Sequence, residues 1–144
     1  MQLLSITYPT PQFKTKIVAG VTQIWDSWRK KWIVLTPEEW VRQNFIAYLT
    51  QVLQYPSGSI AVEKQITLLE RTKRFDIVVY KNGQPWLLVE CKAPEIALTP
   101  QVLEQALTYN VHLQVPFIVI TNGQHTAGWQ LTPTVRVLAT MPVY

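Results

Sequence analysis

The sequence predicts an α/β fold in which helices flank a mixed β-sheet, with the core elements in the order α-β-β-β-α-β. Two segments that open with Thr-Pro continue with apolar residues at helical spacing, and the segments between them alternate as strands do. The last core strand follows the second helix, and such a strand, helix, strand passage needs a crossover. We therefore expect this strand to lie parallel to the third strand, with helices packed on the sheet.

The whole chain, residues 1–144, is interpreted as one domain. Its length and its hydrophobic content of 48% are sufficient for a core without disulfides. Cys91 is the single cysteine, so no intrachain disulfide can form. The start of the chain lacks the pattern of a secretory signal, and no apolar run reaches membrane-spanning length. We expect a cytoplasmic protein.

Residues 1–15 show little periodicity, which predicts a loosely attached lead-in. In residues 16–35 two apolar stretches flank a basic run, which predicts a β-hairpin with a basic tip. Thr36 is the expected N-cap of the first helix, because Pro follows it and Glu39 completes a capping box. Thr99 begins the second helix in the same way.

The catalytic core is predicted within residues 36–123, and strands of a weaker pattern follow it. Turn residues separate the predicted strands, and the hairpin of the second and third strands turns at Asn82 and Gly83. The predicted elements are a helix over residues 37–53, strands over 60–66, 74–80 and 85–91, a helix over 99–113, a strand over 115–120 and one or two strands within 124–144.

Three ionisable residues meet at the end of the third core strand. Glu90 and Lys92 are two positions apart, so both project from one face, where buried charge is costly unless it is paired. Asp76 lies near the start of the neighbouring antiparallel strand, beside that end. The alternative interpretation is an ordinary exposed ion pair on a surface hairpin.

This group of residues predicts a Mg²⁺ site, with Mn²⁺ as a substitute, held by Asp76 and Glu90. Two carboxylates held together repel each other unless a divalent cation lies between them, an arrangement that phosphodiester cleavage uses. The cation would activate water and neutralise the charge that develops on the phosphate. Lys92 would orient the attacking water or help to deprotonate it.

The register of this hairpin decides whether Asp76 and Glu90 can share a cation. A plain two-residue Asn-Gly turn would set Asp76 opposite Val89, so that Asp76 and Glu90 would face opposite sides of the sheet. A three-residue loop, or a β-bulge that shifts the register by one residue, sets Asp76 opposite Glu90. We predict this shifted register.

Four stretches carry a resemblance to a known family: LTPEEWVRQNFIAYL, KRFDIVVYKNGQPWLLVECKAP, LEQALTYN and PFIVITNG. They resemble, in the same order, the N-terminal nuclease domain of type I restriction enzyme R subunits, a branch of the PD-(D/E)XK nuclease superfamily. The resemblance runs over residues 26–123. It implies a restriction-endonuclease-like core behind the N-terminal hairpin.

The resemblance also implies roles for individual residues. By position in the motifs, Asp76 and Glu90 bind the metal and Lys92 is catalytic. Gln105 and Tyr109 match a Gln-x-x-x-Tyr pattern in the following helix, where residues one turn apart share a face. The first helix of this class often contributes a Glu. The candidates are Glu38 and Glu39, and Glu39 is included as that residue, although its side chain could instead complete the helix cap.

The charge of the chain favours a polyanionic partner. The formal net charge is +4 and the pI is near 9.3. The basic residues cluster at positions 29–31 and again in a predicted basic loop that holds Arg71, Lys73 and Arg74. The two clusters could contact phosphates, the alternative being two solvated turns.

The resulting hypothesis is a Mg²⁺-dependent nuclease that cleaves phosphodiester bonds of DNA. The alternative is a catalytically inactive nucleic-acid-binding or assembly module of the same fold. The sequence holds no Gly-x-x-x-x-Gly-Lys-[Ser/Thr] motif, so ATP-driven translocation is not expected of this chain alone. A motor or specificity subunit is therefore an expected partner, and a homodimer is another, since a single metal centre cuts one strand.

Overall fold

A computed structural model describes residues 2–68 and 70–144 of the chain. The elements are β1 (Thr15–Val18), β2 (Val21–Asp26), β3 (Lys31–Val34), α1 (Pro37–Ala47), β4 (Ile60–Leu68), β5 (Arg71–Lys81), β6 (Gln84–Cys91), α2 (Pro100–Asn110), β7 (Phe117–Thr121), β8 (Thr126–Gln130) and β9 (Arg136–Val137). They form a three-stranded sheet, β1-β2-β3, and a six-stranded sheet, β4-β5-β6-β7-β8-β9. Within the described residues, no helix combines the length and the apolar character needed to cross a membrane.

The six-stranded sheet is mixed, as predicted, and carries a helix on each face. β6 and β7 run parallel, and their register pairs Leu88 with Ile118. The α1 side chains Val41 and Phe45 belong to the buried cluster on one face, and the α2 side chain Leu103 belongs to the cluster on the other. Burial of apolar side chains on both faces explains the nearly continuous apolar runs of the central strands.

Both helices begin where the sequence predicts. Thr36 and Thr99 each accept a hydrogen bond from the backbone amide three residues on, and Pro follows both. The helix ends differ from the prediction. The chain after α1 continues as a π-helical turn, Tyr48–Val52, and α2 passes into a 3₁₀ turn, Val111–Leu113.

The predicted shifted register of the β5-β6 hairpin is confirmed, and a β-bulge produces it. Asn82 and Gly83 both have positive φ angles, 54° and 75°, as a two-residue type I′ turn requires. Tyr80 pairs with Pro85, but the next pairs skip one residue of β6, so the bulge lies at Trp86. Beyond the bulge Ile77 pairs with Val89, and Asp76 and Glu90 are the next residues of the two strands in this register.

The alternation of side chains along β5 breaks at Asp76. Ile77 belongs to the buried cluster on the α1 face, whereas Phe75 and Val78 both belong to the cluster on the α2 face. Opposite this point on β4, Glu63 has a φ angle of 54°, a strained conformation for a residue within a strand. The two strands are therefore distorted together, and the distortion turns Asp76 out of the regular pleat.

Three details of the fold differ from the prediction. Residues 2–14 contain no helix or strand. The prediction that they are a loosely attached lead-in is wrong, because Leu4 is buried and its amide donates a hydrogen bond to Thr126 O at 2.7 Å. The hairpin of β2 and β3 is confirmed, but β1 adds a third strand. The predicted basic loop is also wrong, since residues 71–74 begin the long strand β5.

The docking of the N-terminal segment gives a first prediction. Leu4 is 6% exposed and Leu3 is 42% exposed. We expect Leu4→Ala to lower the free energy of unfolding by about 2 to 3 kcal/mol, because it leaves a cavity beside β8. Leu3→Ala, the matched control, should change it by less than about 0.5 kcal/mol. Urea denaturation measures both, and equal values would contradict the docking of this segment.

Candidate functional site

A cavity of about 310 Å³ opens beside the carboxyl end of β6. β6 and α2 supply most of its wall, and a carboxyl end of a parallel strand is a common place for a ligand site in an open α/β sheet. Five polar side chains line the cavity together with three apolar ones. The polar side chains are Lys73, Glu90, Lys92, Gln105 and Tyr109.

Four residues of the predicted site meet in this cavity. Glu90 and Lys92 reach it from the end of β6 and the residue that follows, and Gln105 and Tyr109 reach it from one face of α2. None of the ion pairs in the described part of the chain involves Lys92 Nζ, so this ammonium is available to a ligand.

The Glu90 carboxylate is held by two neighbours. Lys73 Nζ donates a short hydrogen bond to Glu90 Oε1, and Asn110 Nδ2 donates to the same oxygen at 3.3 Å. The Lys73 ammonium also lies 4.4 Å from the centre of the Tyr109 ring, a cation–π contact. Within the described residues no hydrogen bond occupies Glu90 Oε2, so this oxygen remains an available ligand.

Asp76 lies at the edge of this group and not in the cavity wall. Its Oδ2 accepts a hydrogen bond from Cys91 N at 2.8 Å, and its Oδ1 lies 3.7 Å from Arg42 Nη2. Glu90 contacts residues on the α2 side, whereas Asp76 contacts Arg42 on the α1 side. The register therefore sets the two acids opposite each other, but the distortion at Asp76 gives their carboxylates different neighbours.

Burial raises the pKa of Asp76 to about 6 from an ordinary value of 3.8. The Cys91 amide and the Arg42 guanidinium oppose this shift, and the negative charges of Glu38 and Glu63 add to it. Glu38, an exposed acid of the first helix, is therefore one of the charges that act on Asp76.

The structure places Glu39 outside the cavity wall, so a catalytic role for it stays a prediction. Its carboxylate accepts hydrogen bonds from Arg29 Nη2 at 2.7 Å and from Gln43 Nε2 at 3.1 Å. It does not complete the capping box either, because Thr36 N donates to Val34 O. Glu39 is nearly fully buried, so these partners, and not the cavity, account for its charge.

Arg42 connects Glu39 and its hydrogen-bond partners to the candidate site. Its guanidinium donates to Glu63 Oε1 at 2.7 Å, lies 3.3 Å from Glu39 Oε2 and approaches Asp76. Sequence reasoning missed this residue, although an Arg three positions after Glu39, beside the apolar stripe of α1, was a visible signal. The role of Glu63 gave no such signal, because it depends on an unusual backbone angle.

The residues predicted to contact nucleic acid occupy three different environments. Lys73 is bound to Glu90 in the cavity, and Arg71 Cζ lies 5.6 Å from the centre of the Tyr109 ring. Arg74 is exposed, with its guanidinium 3.5 Å from Glu63 Oε2. Contact of all three with nucleic acid stays a prediction.

The candidate metal ligands are two carboxylates and not a larger cluster. The described residues contain no group of three or more His, Cys, Asp or Glu side chains placed to hold a metal ion. His112 and His125 are both exposed. A metal at this site would therefore rely on Asp76 Oδ1, Glu90 Oε2 and water.

The raised pKa of Asp76 predicts that its charge destabilises the fold. Between 3.8 and about 6 the folded state binds more protons than the unfolded state, so stability falls as pH rises through this window. We expect Asp76→Asn to raise the free energy of unfolding at pH 7, by an upper limit of about 3 kcal/mol. Denaturation at pH 7 and at acidic pH measures the gain, which should disappear below the window.

Asp26→Asn is the matched control with the opposite sign. Burial opposes ionisation of Asp26, but hydrogen bonds from Arg29 and from Trp28 N outweigh it and lower the pKa of this carboxyl. Its stabilising effect is present above 3.8 and is lost as pH falls through the lowered value. At pH 7 Asp26→Asn should therefore destabilise the protein. Equal losses of unfolding free energy in both variants would show that the Asp76 carboxylate stabilises the fold, and would contradict the prediction.

Comparisons with known proteins agree with the fold. No curated protein sequence matches the chain. The fold matches the crystal structure of a candidate nuclease belonging to DUF820 from Anabaena variabilis, with a TM-score of 0.50 and 12% identity, over 90% of this chain and 81% of that one. The family model of the type I restriction enzyme R protein N terminus (HSDR_N) matches residues 37–142, from the start of α1 past β9. The predicted resemblance is confirmed, and the chain belongs to the family of type I restriction enzyme R protein N termini.

Proposed function

We propose that the chain is a Mg²⁺-dependent nuclease that hydrolyses phosphodiester bonds of DNA. The observation that carries this proposal is the cavity at the end of β6, which brings Glu90, Lys92, Gln105 and Tyr109 together. An acid and a lysine that share a cavity with two neutral hydrogen-bonding side chains suit a polyanionic substrate. The family and the fold of the DUF820 protein support the same reaction class.

The donor atoms fit a magnesium ion. Asp76 Oδ1, which lies 3.7 Å from Arg42 Nη2, and Glu90 Oε2 are carboxylate oxygens without a hydrogen bond among the described residues, and Mg²⁺ prefers carboxylate ligands. Mg²⁺ usually keeps several waters and needs only one or two protein carboxylates, so a larger acidic cluster is not required. When bound, the ion supplies an activated water and neutralises charge on the phosphate.

The side chains of the chain itself perform the remaining tasks. Lys92 donates hydrogen bonds to the attacking water or to a phosphate oxygen, so it lowers the energy of the charged transition state. Gln105 and Tyr109 hold the sugar-phosphate backbone in the cavity. Lys73 holds the Glu90 carboxylate through Oε1 and makes no hydrogen bond to Oε2.

One observation favours the alternative, an inactive nucleic-acid-binding or assembly module. Lys73 already neutralises Glu90, so this acid needs no further cation for its stability. The two functions differ in turnover and not in binding, so a cleavage assay separates them.

The partners follow from the same proposal. DNA is the proposed substrate, and a motor or specificity subunit is the proposed protein partner, by analogy with the R protein named in the family description. A homodimer would supply a second centre for the opposite strand. A cytoplasmic location, where DNA and Mg²⁺ are both present, is the proposed setting.

Plasmid nicking tests the enzyme. The wild type should nick supercoiled plasmid with Mg²⁺ or Mn²⁺, and EDTA should stop the reaction. Glu90→Gln and Lys92→Ala should each lower the rate by about 10² or more, since they remove a metal ligand and a catalytic ammonium. Conversion of supercoiled to open-circular DNA on a gel measures the rate.

Two substitutions of the same chemistry outside the cavity are the controls. Glu104→Gln changes an exposed acid of α2, and Lys64→Ala changes an exposed lysine of β4. Both should retain the wild-type rate. Cleavage that persists unchanged in Glu90→Gln and Lys92→Ala would come from a contaminant, and it would leave the inactive module as the function.

Mn²⁺ binding tests the metal site directly. The loss of the free-ion signal in electron paramagnetic resonance should correspond to one bound Mn²⁺ per chain. Asp76→Asn or Glu90→Gln should abolish this binding. Since a proton on Asp76 competes with the metal, affinity should rise as pH increases through about 6. His112→Ala and His125→Ala should bind like the wild type. Loss of binding in either histidine variant would overturn the assignment.

A further inference from the structure

The net charge of the chain is concentrated in its first 36 residues. This part holds five basic residues against the single acid Asp26, a net charge of +4 that equals that of the whole chain. The remaining residues, 37–144, hold eight basic and eight acidic residues and are neutral. The positive charge therefore belongs to the three-stranded sheet of β1, β2 and β3 and to the residues beside it.

The outward charge of this sheet is positive throughout. Asp26 is fully buried and its Oδ2 accepts a hydrogen bond from Arg29 Nε at 2.6 Å, so these two residues neutralise each other internally. The four other basic residues are exposed lysines. We call them the basic end of the sheet: Lys14, Lys16, Lys30 and Lys31.

The sheet separates its basic end from an apolar end. Val18 pairs with Val21 beside the β1-β2 turn, and Val34 lies at the same end of β3. Lys30 and Lys31 lie at the β2-β3 tip, and Lys14 lies beside Trp25 just before β1. Lys16 is level with Val34, since both pair with Gln23, but its ammonium reaches back to the Trp32 ring. Trp25 and Trp32 pair across the strands with ring centres 5.6 Å apart.

The tryptophan pair supports the basic end. Lys16 Nζ lies 4.3 Å from the centre of the Trp32 ring, on the face of the sheet opposite to buried Ile24. A lysine held over an aromatic ring presents its ammonium outward with less conformational freedom than a free surface lysine. Basic residues combined with aromatic rings are a common arrangement in nucleic-acid-binding surfaces.

The basic end is tied to the candidate active site. Arg29, the residue before Lys30, donates to Glu39 and lies 3.9 Å from Glu63. Glu63 binds Arg42, which approaches Asp76. Lys30 follows Arg29 directly, with consecutive Cα atoms about 3.8 Å apart, so the backbone of the basic end continues from a residue of this chain of contacts.

We propose that the basic end is a second DNA contact, which binds the phosphate backbone of a duplex that extends beyond the catalytic cavity. The choice of DNA among polyanions rests on the proposed function, whereas the choice of phosphates rests on the uniform positive charge. A protein partner would be expected on the valines at the apolar end, and these do not adjoin the active-site contacts.

Fluorescence anisotropy with a labelled DNA duplex in EDTA tests this surface without cleavage. Binding of the wild type should weaken as NaCl increases: the logarithm of the association constant should fall linearly with the logarithm of the salt concentration. The slope of this line is set by the number of phosphate contacts. Lys30→Gln with Lys31→Gln should lower the magnitude of the slope by about 2, and the variant of all four lysines by about 3 to 4. Affinity at low salt should fall by about tenfold or more in the quadruple variant.

The matched control removes two positive charges elsewhere. Lys64→Gln with Arg136→Gln lowers the net charge by the same amount at exposed positions of β4 and β9. It should retain the wild-type slope, and circular dichroism should show that every variant is folded. Equal effects of the two double variants would mean that only total charge matters, and the proposal would be overturned.

Three further results separate this proposal from others. Unchanged DNA binding in the quadruple variant, with loss of binding to phosphatidylserine vesicles, would assign the surface to a membrane and overturn the proposal. Wild-type nicking with an unaltered salt slope in the quadruple variant would leave the nuclease intact and remove this surface. A lowered slope in a protein that never nicks DNA would support the surface and contradict the nuclease.

Discussion

The buried guanidinium of Arg42 is the interaction on which the rest of the structure depends. A buried charge is very unfavourable unless it is paired, and the three acids around Arg42 come from α1, β4 and β5. Through Glu39 the same network reaches Arg29 at the tip of β2 and β3. Pairing of one charge therefore fixes the helix, the edge of the central sheet and the N-terminal sheet relative to the candidate site.

The site itself lies where the regular sheet is interrupted. The bulge at Trp86 shifts the register, and the distortion at Glu63 and Asp76 turns an acid out of the pleat. Each irregularity is unfavourable for a sheet, and each changes where a carboxylate lies. A strained backbone at Glu63 beside a raised pKa at Asp76 is typical of a site selected for chemistry and not for stability.

The fold could be predicted from the sequence more completely than the site. The helix starts at Thr36 and Thr99 and the parallel pairing of β6 with β7 depend on local capping and on chain connectivity, so the sequence alone sufficed. The surroundings of Glu39 could not be predicted, because its partner Arg29 is ten residues away, in the turn between β2 and β3. Likewise, the basic residues 71–74 have the composition of a loop, but pairing with β4 makes them strand.

The sequence by itself determined the order of the elements, the family and the residue types at the end of β6, because periodicity, turn residues and short motifs are properties of neighbouring residues. It also determined that Gln105 and Tyr109 share one helix face. Only the tertiary structure decided that Lys73 holds Glu90 and that Arg42 approaches Asp76. These contacts join residues far apart in the chain, and their geometry depends on backbone distortions that packing and charge pairing impose.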